Sequence, residues 1–303
     1  MQFVRYGSTQ FALFRLIFGT YLTLHFGHLL TYSKEVFSNQ GMIPDSTSLL
    51  TYGKVPNILF CLDSPVWIWL FISTLIVSSI LITVGIYRRL ASLWTFYGWL
   101  CLFNRNYFIS NPGMPYIGWL LLMFTLIPPN ERLGFLLVGR ESINYRKNTE
   151  KITEKISKWK MDHIIYYGAW AIMALSYSVS GLHKLSCPSW INGTALYHIL
   201  SGPLARDNFL VKMILTFPMA FFKFITWVSL VAEITFGFLG IFYKTRKYYG
   251  LFFLVFHLGI WTTLRFSDLT WGVMMIHLFT LDPSWFKFTQ KWVDKMDNYQ
   301  VPI

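Results

Sequence analysis

Eight apolar runs, each bounded by polar, glycine- or proline-bearing residues, limit what this chain can become. They lie at about 10–31, 65–87, 90–104, 114–129, 162–183, 222–243, 248–264 and 268–282. Crossing a bilayer takes about 20 mostly apolar residues wound as a helix, because lipid offers the backbone no hydrogen bonds. The fourth and eighth runs are short for that task. With 54% apolar and only 13% charged residues, and a mean hydropathy of +0.44, the chain has too little polar surface for an ordinary soluble domain. The expected fold is all-α, a polytopic membrane bundle of about eight transmembrane helices occupying residues 1–303 as one domain. The first run is too long for the core of a cleavable signal and lacks a small-residue cleavage pattern, so an anchor is expected there.

The formal charge of +12 and pI of 9.6 could point to nucleic acid, but the placement of the basic residues decides otherwise. With the N-terminus inside, 17 of the 26 Lys and Arg residues fall in cytoplasmic segments, 8 fall on the opposite side, and Arg15 lies within the first run. That bias predicts a multi-pass protein with both termini cytoplasmic. The expected contact is anionic lipid, with no nucleic acid partner.

Charge density peaks in a linker at about 130–160, where Ile152, Ile156 and Trp159 have the spacing of a helix lying on the inner membrane surface. It separates four apolar runs from four. On the outer side, residues 186–218 form the largest polar element; Trp190, Leu196, Tyr197 and Leu200 suggest an amphipathic segment, interrupted at Gly202-Pro203. Cys61, Cys101 and Cys187 have no metal-type spacing, and Cys61 with Cys187 could form one outer disulfide or stay free.

Ionisable residues within apolar runs are costly and need a partner or a cavity. Arg15, His25 and His28 lie in the first run, Glu233 in the sixth, His257 in the seventh and His277 in the eighth, while Lys184 ends the fifth. His25 and His28 could face one metal, but no third ligand stands at a diagnostic spacing, so structural hydrogen bonding is expected and no metal is predicted. Arg15 and Glu233 suit either an interhelical ion pair or a substrate-binding role. Lys184 could reach for headgroups, the ordinary behaviour of a lysine at a helix end, or act as a base. No zinc-protease, nucleophile-elbow, phosphate-loop or dinucleotide fingerprint is present.

The stretch YSVSGLHKLSCPSWINGTAL, Tyr177 to Leu196, resembles the signature of the HTTM family, the membrane domain shared by vitamin K-dependent γ-carboxylase and many bacterial proteins. In that signature a small-Gly-x-x-Lys-Leu motif precedes a tryptophan, here Trp190. Glu233 before Gly237-Phe-Leu, the run GLFFLVFHLGI containing His257, FRLIFGTYL near the start and SNPGMPYIGWLL around Asn111 also resemble family blocks. The resemblance implies a quinol-dependent carboxylase or epoxidase-like lyase with an outward-facing site. Lys184 would be the base that deprotonates a reduced, vitamin K hydroquinone-like quinone, with O2 and CO2 as co-substrates. His257 would orient or relay, and Asn111, Trp190, Glu233 and Arg15 would contact quinone or substrate. Ser110-Asn111-Pro112-Gly113 departs from the family's Trp-Asn-Asn-His at that place, leaving Asn111 as the surviving match. A secreted peptide or protein would be the substrate. Some bacterial members, the SdpB-like group, instead serve in maturing secreted peptide toxins, which keeps a non-catalytic partner role open. A transporter built on helices broken at Pro112, Pro115, Pro128, Pro129 and Pro218 is the third reading, without an inverted repeat behind it.

Overall fold

A computed structural model describes residues 6–129, 131, 159–240, 242–265 and 267–286, and these residues are all-helical, with twelve α-helices and no strand. In chain order the helices are α1 (Ser8–Thr31), α2 (Ser33–Phe37), α3 (Pro65–Val84), α4 (Arg88–Arg105), α5 (Met114–Leu126), α6 (His163–Lys184), α7 (Pro188–Ile191), α8 (Ala195–Ser201), α9 (Phe209–Leu215), α10 (Met219–Leu239), α11 (Tyr243–Thr263) and α12 (Ser267–Phe279). Eight of them have 13 to 24 residues, and each overlaps one of the eight apolar runs. By length and composition, α3 and α10 are the two able to cross a membrane; α5 and the Leu269–Phe279 part of α12 are apolar but shorter. The charged linker lies outside the described residues except for Glu131, Trp159 and Lys160, so the surface helix expected around Ile152 and Ile156 is among the parts not described.

Helix ends follow local chemistry where they depart from the apolar runs. The second run stops at Val84 because Gly85 takes a left-handed φ of 82° and its N–H returns to Leu81 and Ile82, a glycine C-cap. The sixth starts at Met219, directly after Pro218, which cannot donate to a preceding turn. Pro65 and Pro115 similarly occupy the first turns of α3 and α5, where a missing N–H costs nothing.

The described residues fall into two compact units. The first comprises the residues up to Asp162 with Pro283–Phe286, and the second comprises His163–Asp282. In the first, α1 packs along α3, α3 on α4 and α4 on α5. The buried stripe of α1, Phe11, Phe14, Arg15, Phe18, Leu22, His25, Phe26 and Leu29, recurs every three to four residues, as one helix face requires. Arg15 on that stripe is fully buried, and it caps the end of α3 by donating to the carbonyls of Ile82, at 3.0 Å, and Thr83. Arg88 does the same for α5, donating to Phe124, Ile127 and Pro128. Glu131 neutralises both, with Oε1 3.0 Å from Arg15 Nε and 3.1 Å from Arg88 Nε. Cations at carbonyl-bearing helix ends with a shared carboxylate satisfy charge and hydrogen bonding together.

In the second unit α6 lies along α10, while α11 packs on α12 and α10. The expected amphipathic segment at 186–218 is three short helices, α7 to α9, broken after Ser201 at Gly202-Pro203. Leu200, Val211 and Phe222 form its buried centre. Arg206 and Asn208 fasten it to the end of α11, donating to Leu264 O at 2.7 Å and Thr262 O at 2.8 Å. The exposed Asp207 carboxyl is held below its usual value by hydrogen bonding to and attraction from Lys212, whose Nζ is 2.7 Å away.

Candidate functional site

Lys184 is the last residue of α6, and its position is set by the residues three and six before it. A Cβ on Gly181 would stand 2.8 Å from the backbone nitrogen of Ile234, so only glycine lets α6 approach α10 this closely. One turn earlier, Ser178 Oγ accepts from the Gly237 N–H at 2.9 Å and donates to Ile234 O at 3.2 Å, fixing the register of the two helices. In that register Lys184 meets Glu233.

Lys184 Nζ lies 2.6 Å from both Glu233 carboxylate oxygens. Ser180 Oγ donates to Oε2 at 3.3 Å. The indole of Trp190, carried back over the end of α6 by α7, lies 4.3 Å from Nζ, a cation–π contact. The carboxylate is buried, whereas the lysine side chain keeps 23% of its surface open. Lys184, Glu233 and Trp190 are thus brought together, and Lys184 does not extend freely toward headgroups.

Arg15 and Glu233, which suited either an interhelical ion pair or a substrate-binding role, each have a partner within their own unit. Arg15 is held by Glu131 and the end of α3, and Glu233 by Lys184. Glu131 sits just past Pro128-Pro129 in the chain, and nothing in its spacing marked it as the answer to a charge 116 positions earlier. Asn111 belongs to the first unit, where its Oδ1 accepts from the Gly113 N–H at 2.9 Å, shaping the turn that starts α5. His25 packs its ring against Trp99, Phe26 and Tyr21, with centroids 5.2 to 5.7 Å apart. Among the described residues no cluster of three His, Cys, Asp or Glu side chains is placed to hold a metal. Cys61 and Cys187 are exposed free thiols and Cys101 a buried one, so the outer disulfide is not formed.

His257 belongs to the same unit and is hydrogen-bonded at Nε2 to the Tyr177 hydroxyl, which also reaches His277. Tyr177, Ser180 and His277 escaped the sequence reading as site residues. Tyr177 precedes Lys184 by seven positions, two helical turns, which places it on the same face of α6 and was the available signal.

Chemically, the pair can shift a proton internally. Ammonium with carboxylate and amine with carboxylic acid carry the same net charge, so the exchange creates no new charge in a poorly solvated place. The amine form can take a proton from a bound acid. Searches of protein-family models, curated proteins and solved structures returned no match to this chain.

Proposed function

We propose that the chain is an eight-span HTTM-type membrane protein, with both termini cytoplasmic, that uses Lys184 as a base on a lipid-soluble quinol. The observation that carries this reading is the Lys184–Glu233 pair: Nζ 2.6 Å from both carboxylate oxygens, covered by Trp190 on one side and open on another. Glu233 takes the resting proton of Lys184, and the amine so released accepts the proton of a quinol hydroxyl. The exposed apolar side chains of Leu182, Leu185 and Ile191, sequence neighbours of Lys184 and Trp190, suit entry of a hydrophobic ring from the bilayer. A reduced quinone would supply, with O2, the driving force for removing a carbon-bound proton that no side chain can take. Addition of CO2 to the resulting carbon would make a carboxylase; without it, the net change is quinol plus O2 to quinone epoxide and water. Trp190 and Ser180 hold the pair in place, and His257 on α11 would orient or relay. The overlap of eight helices with the eight apolar runs, two of them long and apolar enough to span, and the inward bias of basic charge support the topology.

The same ion pair favours a second reading, in which it only fastens α6 to α10 in a non-catalytic partner for maturation of a secreted peptide. The test is to supply membranes containing the protein with chemically reduced vitamin K, O2 and 13C-bicarbonate. Protein-dependent formation of the quinone epoxide supports the enzyme. Epoxide at the level of membranes lacking the protein overturns it in favour of the fastening role.

A further inference from the structure

Among the short outer helices of the second unit, α9 has three unlike faces. Val211 points into the buried centre with Leu200 and Phe222, and Ile214 and Leu215 pack half-buried against that centre. On a second face Phe209, Met213 and Phe217 follow one another at four-residue intervals, about one helical turn each. All three are exposed, Phe209 by 82%. The turn reaches Phe217, just past the helix, because its N–H returns to Ile214 O at 3.1 Å. Lys212 stands on the third face, exposed, with Nζ 2.7 Å from the exposed Asp207 carboxylate.

The faces are fixed against rotation. Asn208 caps the helix, its Oδ1 accepting from the Val211 N–H at 2.9 Å while its Nδ2 donates to Thr262 O at 2.8 Å. The residues just before it are tied to the same end of α11, with Arg206 N–H on Thr263 O and Arg265 N–H on Leu204 O. Three large apolar side chains are thereby held outward together, which marks a contact surface. What they contact is set by the next helix. Thr216 to Pro218 join α9 to α10, one of the two helices long and apolar enough to cross a membrane. Its 21 residues measure about 31 Å, against about 30 Å for a hydrocarbon core, so its first residue, Met219, lies at the outer edge of that core. Phe217 is two residues from that edge. Along α10 the exposed Phe224, Trp227, Val231 and Phe238 recur at helical spacing, a face suited to lipid.

We propose that α9 is an interfacial anchor whose partner is the lipid of the outer leaflet: Phe209, Met213 and Phe217 enter it beside α10, while Lys212 and Asp207 stay in the water. A helix lying in a membrane interface needs an apolar face below and a polar face above. The third face here fastens it to the protein. Lys212 is already neutralised by Asp207, so insertion is driven by the apolar side chains and needs no anionic headgroup. The inference goes beyond the quinol chemistry and rests only on α10 crossing the bilayer.

The test is spin-label depth measurement on the full-length protein in phosphatidylcholine vesicles, with Cys61, Cys101 and Cys187 replaced by alanine and one new cysteine labelled at a time. Collisions with O2, which concentrates in lipid, are compared with collisions with a water-soluble nickel chelate. Labels at Met213→Cys and Phe217→Cys should lie about 5–10 Å below the phosphates, the depth of an interfacial helix. A label at Lys212→Cys should meet the nickel chelate, and one at Val231→Cys should report the hydrocarbon around α10. Nickel access at 213 and 217 with lipid at 231 would overturn the anchor and leave the span standing. Nickel access at 231 would overturn both. Exclusion of both reagents at 213, or spin coupling between copies, would give the face to a peptide or a second copy and overturn the anchor as well. Should Met213→Cys fail to fold, Phe209→Cys on the same face reads the same depth. No turnover is involved, so an inactive protein with the expected depths would sink the quinol reading alone.

Discussion

At Glu233 the carboxylate is buried and Lys184 is its cationic partner, so removing either one leaves the other unpaired in a poorly solvated place. Glu233→Leu is expected to cost about 3 kcal/mol, because an uncompensated buried charge commonly costs 3–5 kcal/mol and Lys184 retains some solvent. Thermal unfolding in detergent should show the loss, and adding Lys184→Met should recover most of it. Adding Arg15→Leu should recover none, since Arg15 answers to Glu131. Recovery through Arg15 rather than Lys184 would show that the helices pair differently. Several ionisable residues were visible in the sequence as needing partners, but the pairing was not. Partners here are set by helix register: Glu233 meets Lys184 because Gly181 allows backbone contact at Ile234, and no one-dimensional spacing encodes that.

Between elements, Gly181 brings the backbone of α6 close to that of α10 at Ile234. Gly181→Val should force the helices apart, destabilising the protein by about 1–3 kcal/mol, the usual range for overpacking. It should also separate Nζ from the Glu233 carboxylate. Gly85→Ala should cost at least about 1–2 kcal/mol in the other unit, because an L-residue at φ 82° is strained and its Cβ would also stand 2.8 Å from Arg15 Nη1. Paired melting curves would separate the two causes, since Gly85→Ala should leave any Lys184-dependent activity intact while Gly181→Val abolishes it. Helix identity was legible throughout, since each apolar run became a helix. The ends were less so: Gly85, Pro218 and Pro128-Pro129 moved them by a few residues through backbone chemistry that hydropathy does not register. The outer segment was read as one interrupted amphipathic element and is three short helices, because Cys187-Pro188 and Gly193, with its φ of 75°, turn the chain twice more.

For the whole molecule, the sequence placed four apolar runs on either side of a charged linker, and the compact units divide at Asp162, where that linker ends. The 17-to-8 distribution of basic residues predicts that single cysteines at Ser157 and Ser48, in a background lacking native cysteines, label from opposite sides of a sealed membrane. Labelling from one side would remove the eight-span topology. The chemistry of the site depends on whether Lys184 gives up its proton or only holds a charge. Lys184→Arg isolates that difference, because arginine keeps the charge and a two-point contact with Glu233 yet stays protonated at any working pH. The most direct measurement compares wild-type and Lys184→Arg protein, matched for insertion and melting temperature, in the O2-dependent epoxidation of reduced vitamin K. A base at Lys184 requires the arginine protein to be folded and at least a hundredfold slower, within the 10²–10⁴ range that a positioned base supplies. Equal rates would contradict it and leave the pair as a fastener between α6 and α10.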